Sequence, residues 1–406
     1  NWLDYLKLKF SIGQQGNDNI SSSYAWTDMY NLSVATPTTM SPIFNMGFGN
    51  PAITWETTTN LNVGLEFGLF HNRLSGSLDF YNKKTTDLLF WISVPETTGG
   101  RGYYGNMGDI RNTGIELTLT GSPIKTKDFE WTLSGNLSHN VGKILKLPYA
   151  KLVKDVVDGQ VIKNYNGFYE SPYWFEVGGP LYNYFTLAYA GVDDQGQALY
   201  YYDPNLLDDS GAMRTNVPGT IKDKKYTTTN AGEASRYKMG TTLPDVFGGF
   251  STMFKIKWFD ITATFDYQIG GKMYDSRYAA IMGPNSNLDG TGAGSNYHKD
   301  WKKSWSPYNT NSDIPRWQIG DTNGNMGCDR YLTNASYLNF QSFTVGFTFP
   351  KFWDEIANMR VYVAGENLCF WSARKGFDPR YSYSGNEQVG AYSPMRTISG
   401  GLEITF

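Results

Sequence analysis

Leu61, Val63, Leu65, Phe67 and Leu69 occupy every second position, with Asn60, Asn62, Gly64, Glu66 and Gly68 between them. Strand side chains alternate faces, so this segment has one apolar and one polar face. The pattern returns in residues 6–12, 74–80, 115–120, 131–138, 250–256, 259–269, 343–349, 359–363 and 397–406. In most of them the polar face is Ser, Thr, Asn and Gly more than Lys and Glu. A sheet face washed by solvent usually carries more charge, whereas an enclosed lumen does not need it. Aromatic residues make up 16% of the chain and 44 residues are glycine, a profile that suits strands and turns. No run of about 18 apolar residues is present, so no transmembrane helix is expected. The mean hydropathy of −0.43 does not argue against a membrane, because barrel strands are apolar on one face only.

The connections sharpen this. Short ones (70–72, 122–128, 257–258 and 350–358) alternate with long ones (14–53, 91–103, 147–245, 276–335 and 373–393). Short periplasmic turns opposite long extracellular loops mark an outer-membrane β-barrel. The last strand stops on Phe406, expected at the periplasmic end and as the residue that closes the barrel, since closure removes sheet edges. Strands then run alternately up and down, which makes 147–245 one large extracellular excursion. Its own strand-like pieces, around 181–191 and 197–203, flank Asp193-Asp194-Gln195-Gly196. The alternative is that they add two membrane strands. The count is therefore about ten spanning strands, or about twelve, each covering the roughly 9–11 residues of a crossing. Leu338 and Phe340 are out of phase with Phe343, which predicts a bulge or the end of the lipid-facing zone. A soluble sandwich or propeller also alternates. The one-sided loop lengths and weakly charged polar faces weigh against both. The chain begins at Asn1 and enters a strand pattern within a few residues, and so reads as a processed product or a fragment.

Net charge is −3 without long charge runs, which excludes nucleic-acid binding through a basic surface. Cys328 and Cys369 are far apart and in no metal spacing, and His71, His139 and His298 are scattered. No catalytic residue, metal or cofactor is expected. Glu66, Asp79, Glu116, Asp260, Asp266, Glu366 and Glu403 fall on the predicted lumen face, where they meet water or a plug rather than forming an acid–base pair. Trp55, Trp91, Trp131, Trp258, Phe352 and Trp353 lie at strand ends, as interfacial girdles do. Tyr103, Tyr104, Trp301, Trp305, Tyr308, Trp317, Tyr381 and Tyr383 lie in predicted outer loops with Arg101, Arg316 and Arg380. Sugar rings stack on such faces and Arg binds carboxylates and carbonyls, so these eleven are the candidate substrate- or lid-contacting residues. The competing explanation is that they pack the loops on each other and on a partner.

Several stretches carry a family likeness. Asn50-Pro51 leads to Trp55-Glu56-Thr57-Thr58. Arg73-Leu74-Ser75-Gly76-Ser77 leads to Tyr81-Asn82-Lys83-Lys84-Thr85 and Asp87-Leu88-Leu89. Asn106-Met107-Gly108 precedes Asn112-Thr113-Gly114-Ile115-Glu116. Phe129-Glu130-Trp131 opens a strand. Tyr331-Leu332 precedes Ser336-Tyr337-Leu338, Arg360-Val361-Tyr362 precedes Glu366-Asn367-Leu368, and Pro394-Met395-Arg396-Thr397 leads into the last strand. In this order they resemble the SusC/RagA-type TonB-dependent transporters of the Bacteroidota outer membrane.

The resemblance implies an all-β transmembrane antiparallel barrel of roughly 22 strands with long extracellular loops. This chain, residues 1–406, would be its C-terminal part, without the plug and the TonB segment. It implies uptake of an oligosaccharide or peptide, a SusD-like surface lipoprotein as lid, TonB as the energy source, and contact with membrane lipid, N-terminal barrel strands and plug. Relatives often carry an acidic, calcium-type turn near residues 214–240; here Gly219-Thr220-Ile221-Lys222-Asp223-Lys224-Lys225 stands instead, which argues against a metal there. The alternatives are a SusC-like scaffold in an assembly or secretion complex, and a β-rich outer-membrane or secreted enzyme using Asp266 or Glu116.

Overall fold

The computed structural model describes residues 2–20, 22–36, 39–44, 47–148, 152, 154–157, 160–207, 213–214, 216–220, 225–283, 297–318, 320–350, 358–382, 385 and 393–405. Ten antiparallel strands form one continuous sheet. They are β1 (Leu3–Asn17), β2 (Glu56–Leu69), β3 (Leu74–Thr86), β4 (Asp109–Lys125) and β5 (Phe129–Lys146). β6 (Val246–Ile256), β7 (Phe259–Ile269), β8 (Tyr337–Thr348), β9 (Asn358–Ser372) and β10 (Thr397–Thr405) complete it. The lower strand count holds, because β5 pairs directly with β6, from Phe129 opposite Ile256 to Ser138 opposite Phe247. β1 and β10 are the two edges of the sheet.

Every short connection (β2–β3, β4–β5, β6–β7, β8–β9) lies at one end of the wall and every long one at the other. The faces differ as the alternation predicts. Leu8, Leu65, Leu78, Leu117 and Leu137 form one cross-strand row, and Phe10, Val63, Phe80 and Ile115 the next. Many of these are exposed, Leu8 at 79% and Phe10 at 71%. A contiguous apolar face of this kind is stable only against another apolar medium. On the opposite face Tyr81 Oη donates to Asn140 Oδ1 at 3.1 Å, and Thr120 and Ser134 hydroxyls lie 3.2 Å apart. There Lys9 Nζ sits 2.9 Å from Glu66 and 3.4 Å from Asp79.

The bulge falls where the phase break predicts it. Ser342 pairs with Thr264 but Phe340 pairs with Phe265, leaving Gln341 as the extra residue. The insertion returns Leu338, Phe340, Phe343 and Val345 to a single face. The register against β9 also shifts at this level, where Asn367 adopts φ +50°, a conformation that asparagine tolerates.

Aromatic rows gather at the short-turn end. Trp131 stacks on Phe254 at 5.7 Å, Phe259 meets Phe347 at 4.8 Å, and Phe347 meets Phe349 at 4.9 Å. The Trp131 indole N–H donates to Thr252 Oγ1 at 3.0 Å. Trp258 is exposed at this end and Trp55 is exposed at the opposite, loop end, just before Glu56, which pairs with Asn17, while Phe352 and Trp353 lie outside the described residues. Trp91 belongs elsewhere. It sits in a hairpin of Leu89–Ser93 with Gly102–Asn106 at the loop end, edge-on to Tyr104 at 5.1 Å.

The two largest loops share a core of their own. Between β5 and β6, Gly167–Glu170, Tyr173–Glu176, Asn183–Leu187 and Arg236–Thr241 form a four-stranded sheet, and Tyr189–Val192, Ala198–Tyr202 and Tyr226–Thr228 a three-stranded one. Leu187, Tyr200 and Ala234 from this segment pack on Ala279, Met282, Ile314, Cys328 and Tyr331 from the β7–β8 loop. Hydrogen bonds join the same two loops: Tyr200 Oη to Asn323 O (2.5 Å), Tyr189 Oη to Asp313 O (2.7 Å) and Thr186 Oγ1 to Gly327 O (3.0 Å). Asp275 caps the short helix α1 (Ser276–Ile281), accepting the Tyr278 N–H.

Candidate functional site

Below this loop core, on the polar face of the wall, lies a cavity of about 750 Å³. Its wall is Ser134 and Asn136 of β5, Phe247 and Ser251 of β6, Thr264, Asp266 and Gln268 of β7, and Tyr337 of β8; Lys272, Arg380 and Ser382 line its loop-end rim. Gly248 and Gly249 leave the sheet bare of side chains beside Phe247. Any Cβ on Gly248 would run into the Asn136 carbonyl, so glycine there permits the close approach of β5 to β6. Asn136 Oδ1 accepts the Gly249 N–H at 2.8 Å.

The polar groups are held by their neighbours. Asn339 Nδ2 donates to Asp266 Oδ1 at 2.7 Å, and Gln268 Nε2 to Ala335 O at 3.2 Å. Lys272 Nζ donates to the Met239 carbonyl. Arg380 grips Asp378 with Nε to Oδ1 at 2.8 Å and Nη2 to Oδ2 at 2.6 Å, and lies 4.8 Å over the Phe370 ring. Burial pulls the Asp378 carboxyl upward, but hydrogen bonds and charge from Arg380 outweigh it and hold it below the usual 3.8. The cavity thus presents one carboxylate, two cations, an exposed phenyl ring and a phenol. That set can bind a polar ligand with an apolar or ring-shaped part. No cluster of three or more His, Cys, Asp or Glu suited to a metal occurs among the described residues.

The structure spreads the sequence candidates over three places. Arg380 is at the cavity rim. Arg101, Tyr103 and Tyr104 are on the hairpin of Gly102–Asn106 and its turn, with the Tyr104 carbonyl accepting from Asn50 Nδ2 at 2.9 Å. Trp301, Trp305, Tyr308, Arg316 and Trp317 are in the β7–β8 loop. Trp301 packs against the shared loop core. Trp305 covers Gly196, which adopts φ +83° and has no room for a Cβ beneath the indole. Arg316 donates from its backbone to Gly196 O and from Nη1 to Gln195 O, both at 2.8 Å. Trp317 meets Tyr297 edge-on at 6.2 Å, and Tyr308 is 99% exposed. Trp301, Trp305 and Arg316 therefore tie the two loops together, and Tyr308 and Trp317 stay on the surface. The side chain of Tyr381, and all of Tyr383 and Phe406, lie outside the described residues. Phe247, Lys272 and Tyr337 are cavity residues that the sequence did not single out. The one available signal was the Gly248-Gly249 pair inside a strand.

Comparison with known proteins agrees with this architecture. The sequence matches the family described as TonB dependent receptor-like, beta-barrel, over residues 1–250. It is 27% identical to TonB-dependent receptor P3 of Formosa agariphila, covering 98% of this chain and 39% of that protein. It is also 27% identical to TonB-dependent receptor SusC of Bacteroides thetaiotaomicron, covering 100% of this chain and 38% of that one. The solved RagAB peptide transporter superposes with a TM-score of 0.78 at 28% identity, over 100% of this chain and 41% of the neighbour. The RagAB peptide importer in its closed-closed state gives 0.80 at 27%, over the same shares. The chain spans about two fifths of the length of these relatives. These relatives are receptors and transporters, not enzymes. With its ten-stranded wall and a sequence match over more than half its length, the chain belongs to the TonB-dependent receptor-like β-barrel family and is of the SusC/RagA type.

Proposed function

We propose that this chain forms wall and mouth of an outer-membrane importer for a bulky nutrient, an oligosaccharide or a peptide. Residues 1–406 are the C-terminal part of the barrel, and the remaining strands and the plug come from the rest of the receptor. The segment 147–245 is an extracellular excursion. A SusD-like surface lipoprotein covers the mouth, and TonB supplies the energy. The relatives in Formosa and Bacteroides favour a Bacteroidota-type outer membrane. The observation that carries this reading is the juxtaposition of an apolar outer face, a polar inner face and a cavity at the loop end of that inner face. The chain performs no bond chemistry. Arg380, Phe247, Asp266 and Tyr337 hold the cargo as it passes from the loops into the lumen.

The test uses the full-length receptor in its native membrane. Phe247→Ala with Asp266→Asn is expected to lower uptake about tenfold, the effect of losing one good contact. Receptor level and lipoprotein co-purification are expected to stay unchanged. Undiminished uptake would remove the cavity from the transport route. Competition by oligosaccharides or by peptides identifies the cargo class.

A further inference from the structure

Three cations stand side by side on the outer face of the wall. Lys84 on β3 is the register partner of Arg111 on β4, and Arg111 is the partner of Lys143 on β5. All three are exposed. Each is an even number of residues from an outward apolar side chain on its own strand, Phe80, Ile115 and Leu137, so they share that face. Thr59 and Gln14 extend the row across β2 and β1, with Gln14 Nε2 donating to Thr59 Oγ1 at 3.2 Å.

Neighbouring strands are about 4.8 Å apart, and like charges directly opposite one another destabilise a sheet. Among the described residues, no ion pair relieves this row. The carboxylates nearest in sequence are Asp87 and Asp109; Asp109 Oδ1 accepts the Asp87 N–H at 3.4 Å.

Height decides what the row meets. Trp131 marks the aromatic zone at the short-turn end of β5, and Lys143 lies twelve residues further along it. At about 3.4 Å per residue and a tilt of about 40°, that is about 30 Å along the membrane normal. The apolar band of such barrels is about 25 Å tall, so the row stands just beyond its outer edge, at headgroup level. An arginine flanked by two lysines suits phosphate oxygens, with bidentate hydrogen bonds from the guanidinium and point charges beside it. The geometry points to Lys84, Arg111 and Lys143 as a binding row for the phosphate groups of an outer-leaflet glycolipid. Bound lipid neutralises the row and fixes the loop end of β3–β5 at the membrane surface.

The inference rests on the membrane-spanning reading, and the test separates the two. Full-length receptor in detergent is mixed with phosphorylated lipid A or with the same lipid after dephosphorylation, and retained lipid is counted by native mass spectrometry. The wild type is expected to retain the phosphorylated form preferentially. Lys84→Gln, Arg111→Gln or Lys143→Gln is each expected to lower that retention about fivefold, and the triple variant to lose the preference. Inorganic phosphate, which has no acyl chains, is expected not to displace the lipid. Equal retention of both lipids by the wild type, an unchanged preference in the triple variant, or displacement by inorganic phosphate overturns the inference. Heat-modifiable gel migration and outer-membrane fractionation report the barrel independently, and their failure overturns both readings.

Discussion

Arg360 of β9 reaches across β8 and holds Asp260 of β7 in a bidentate pair, Nε to Oδ1 at 3.0 Å and Nη2 to Oδ2 at 2.6 Å. Gly346 of β8 is the register partner of Asp260 and of Tyr362, two residues along β9 from Arg360, and any Cβ on it would collide with both charged groups. Arg360→Ala is expected to destabilise the barrel by about 1–2 kcal/mol through loss of a charged hydrogen bond. Gly346→Ala is expected to do the same by displacing the pair, and to have little further effect once Arg360 is gone. Urea titrations of the folded receptor, followed by tryptophan fluorescence, measure this coupling. Additive effects would show that Gly346 is not there to make room for the pair.

Tyr184 ties the two large loops to the β9–β10 connection. Its buried hydroxyl donates to Gly385 O at 2.5 Å and accepts the Tyr274 N–H at 3.0 Å. Tyr184→Phe removes both of these bonds and leaves the Tyr274 N–H and the Gly385 carbonyl only the 3.1 Å bond they make to each other, at a penalty of about 1 kcal/mol. Faster proteolysis within the loops, with heat-modifiability of the barrel unchanged, is the expected result.

Acid is expected to loosen the loop end before the wall. In the folded state the Asp378 carboxyl is held below 3.8 by Arg380, against the pull of burial. A carboxyl whose folded value is depressed contributes stability above its unfolded value and loses it as pH falls through the folded one. Hydrogen exchange across residues 373–382 is therefore expected to accelerate as pH is lowered below about 4. Asp378→Asn is expected to remove most of that response.

The two cysteines are free and differ in access. Burial in the loop core pushes the Cys328 thiol up to about 12, so almost none of it is thiolate at neutral pH. Cys369 is half-buried on β9. Maleimide is expected to label Cys369 readily and Cys328 only after the loops unfold. Mass spectrometry of tryptic peptides reads both sites.

The wall was legible in the sequence because strand periodicity is local. Leu338 and Phe340 against Phe343 were enough to place the bulge within three residues. The loop core was not legible, because its contacts join residues far apart, as Tyr200 and Asn323 are, and its aromatic residues follow no period. Trp301 and Tyr308 look alike in the sequence, yet one packs into a core and the other stands fully in solvent. Phe247 was hidden for the opposite reason. It sits on the polar face of a strand whose apolar residues drew attention to the other side.

β5 and β6 are neighbours in the wall although 147–245 separates them in the chain. The membrane-embedded part therefore sets no length or composition on that segment. Substitution, insertion or exchange there leaves every strand register as it was. The restraint comes from the β7–β8 loop, whose Ala279, Met282, Ile314 and Tyr331 complete the same core. Under the proposed import role, a lineage acquiring a new cargo can thus remodel its mouth without redesigning its barrel, provided these two loops are inherited as a matched pair.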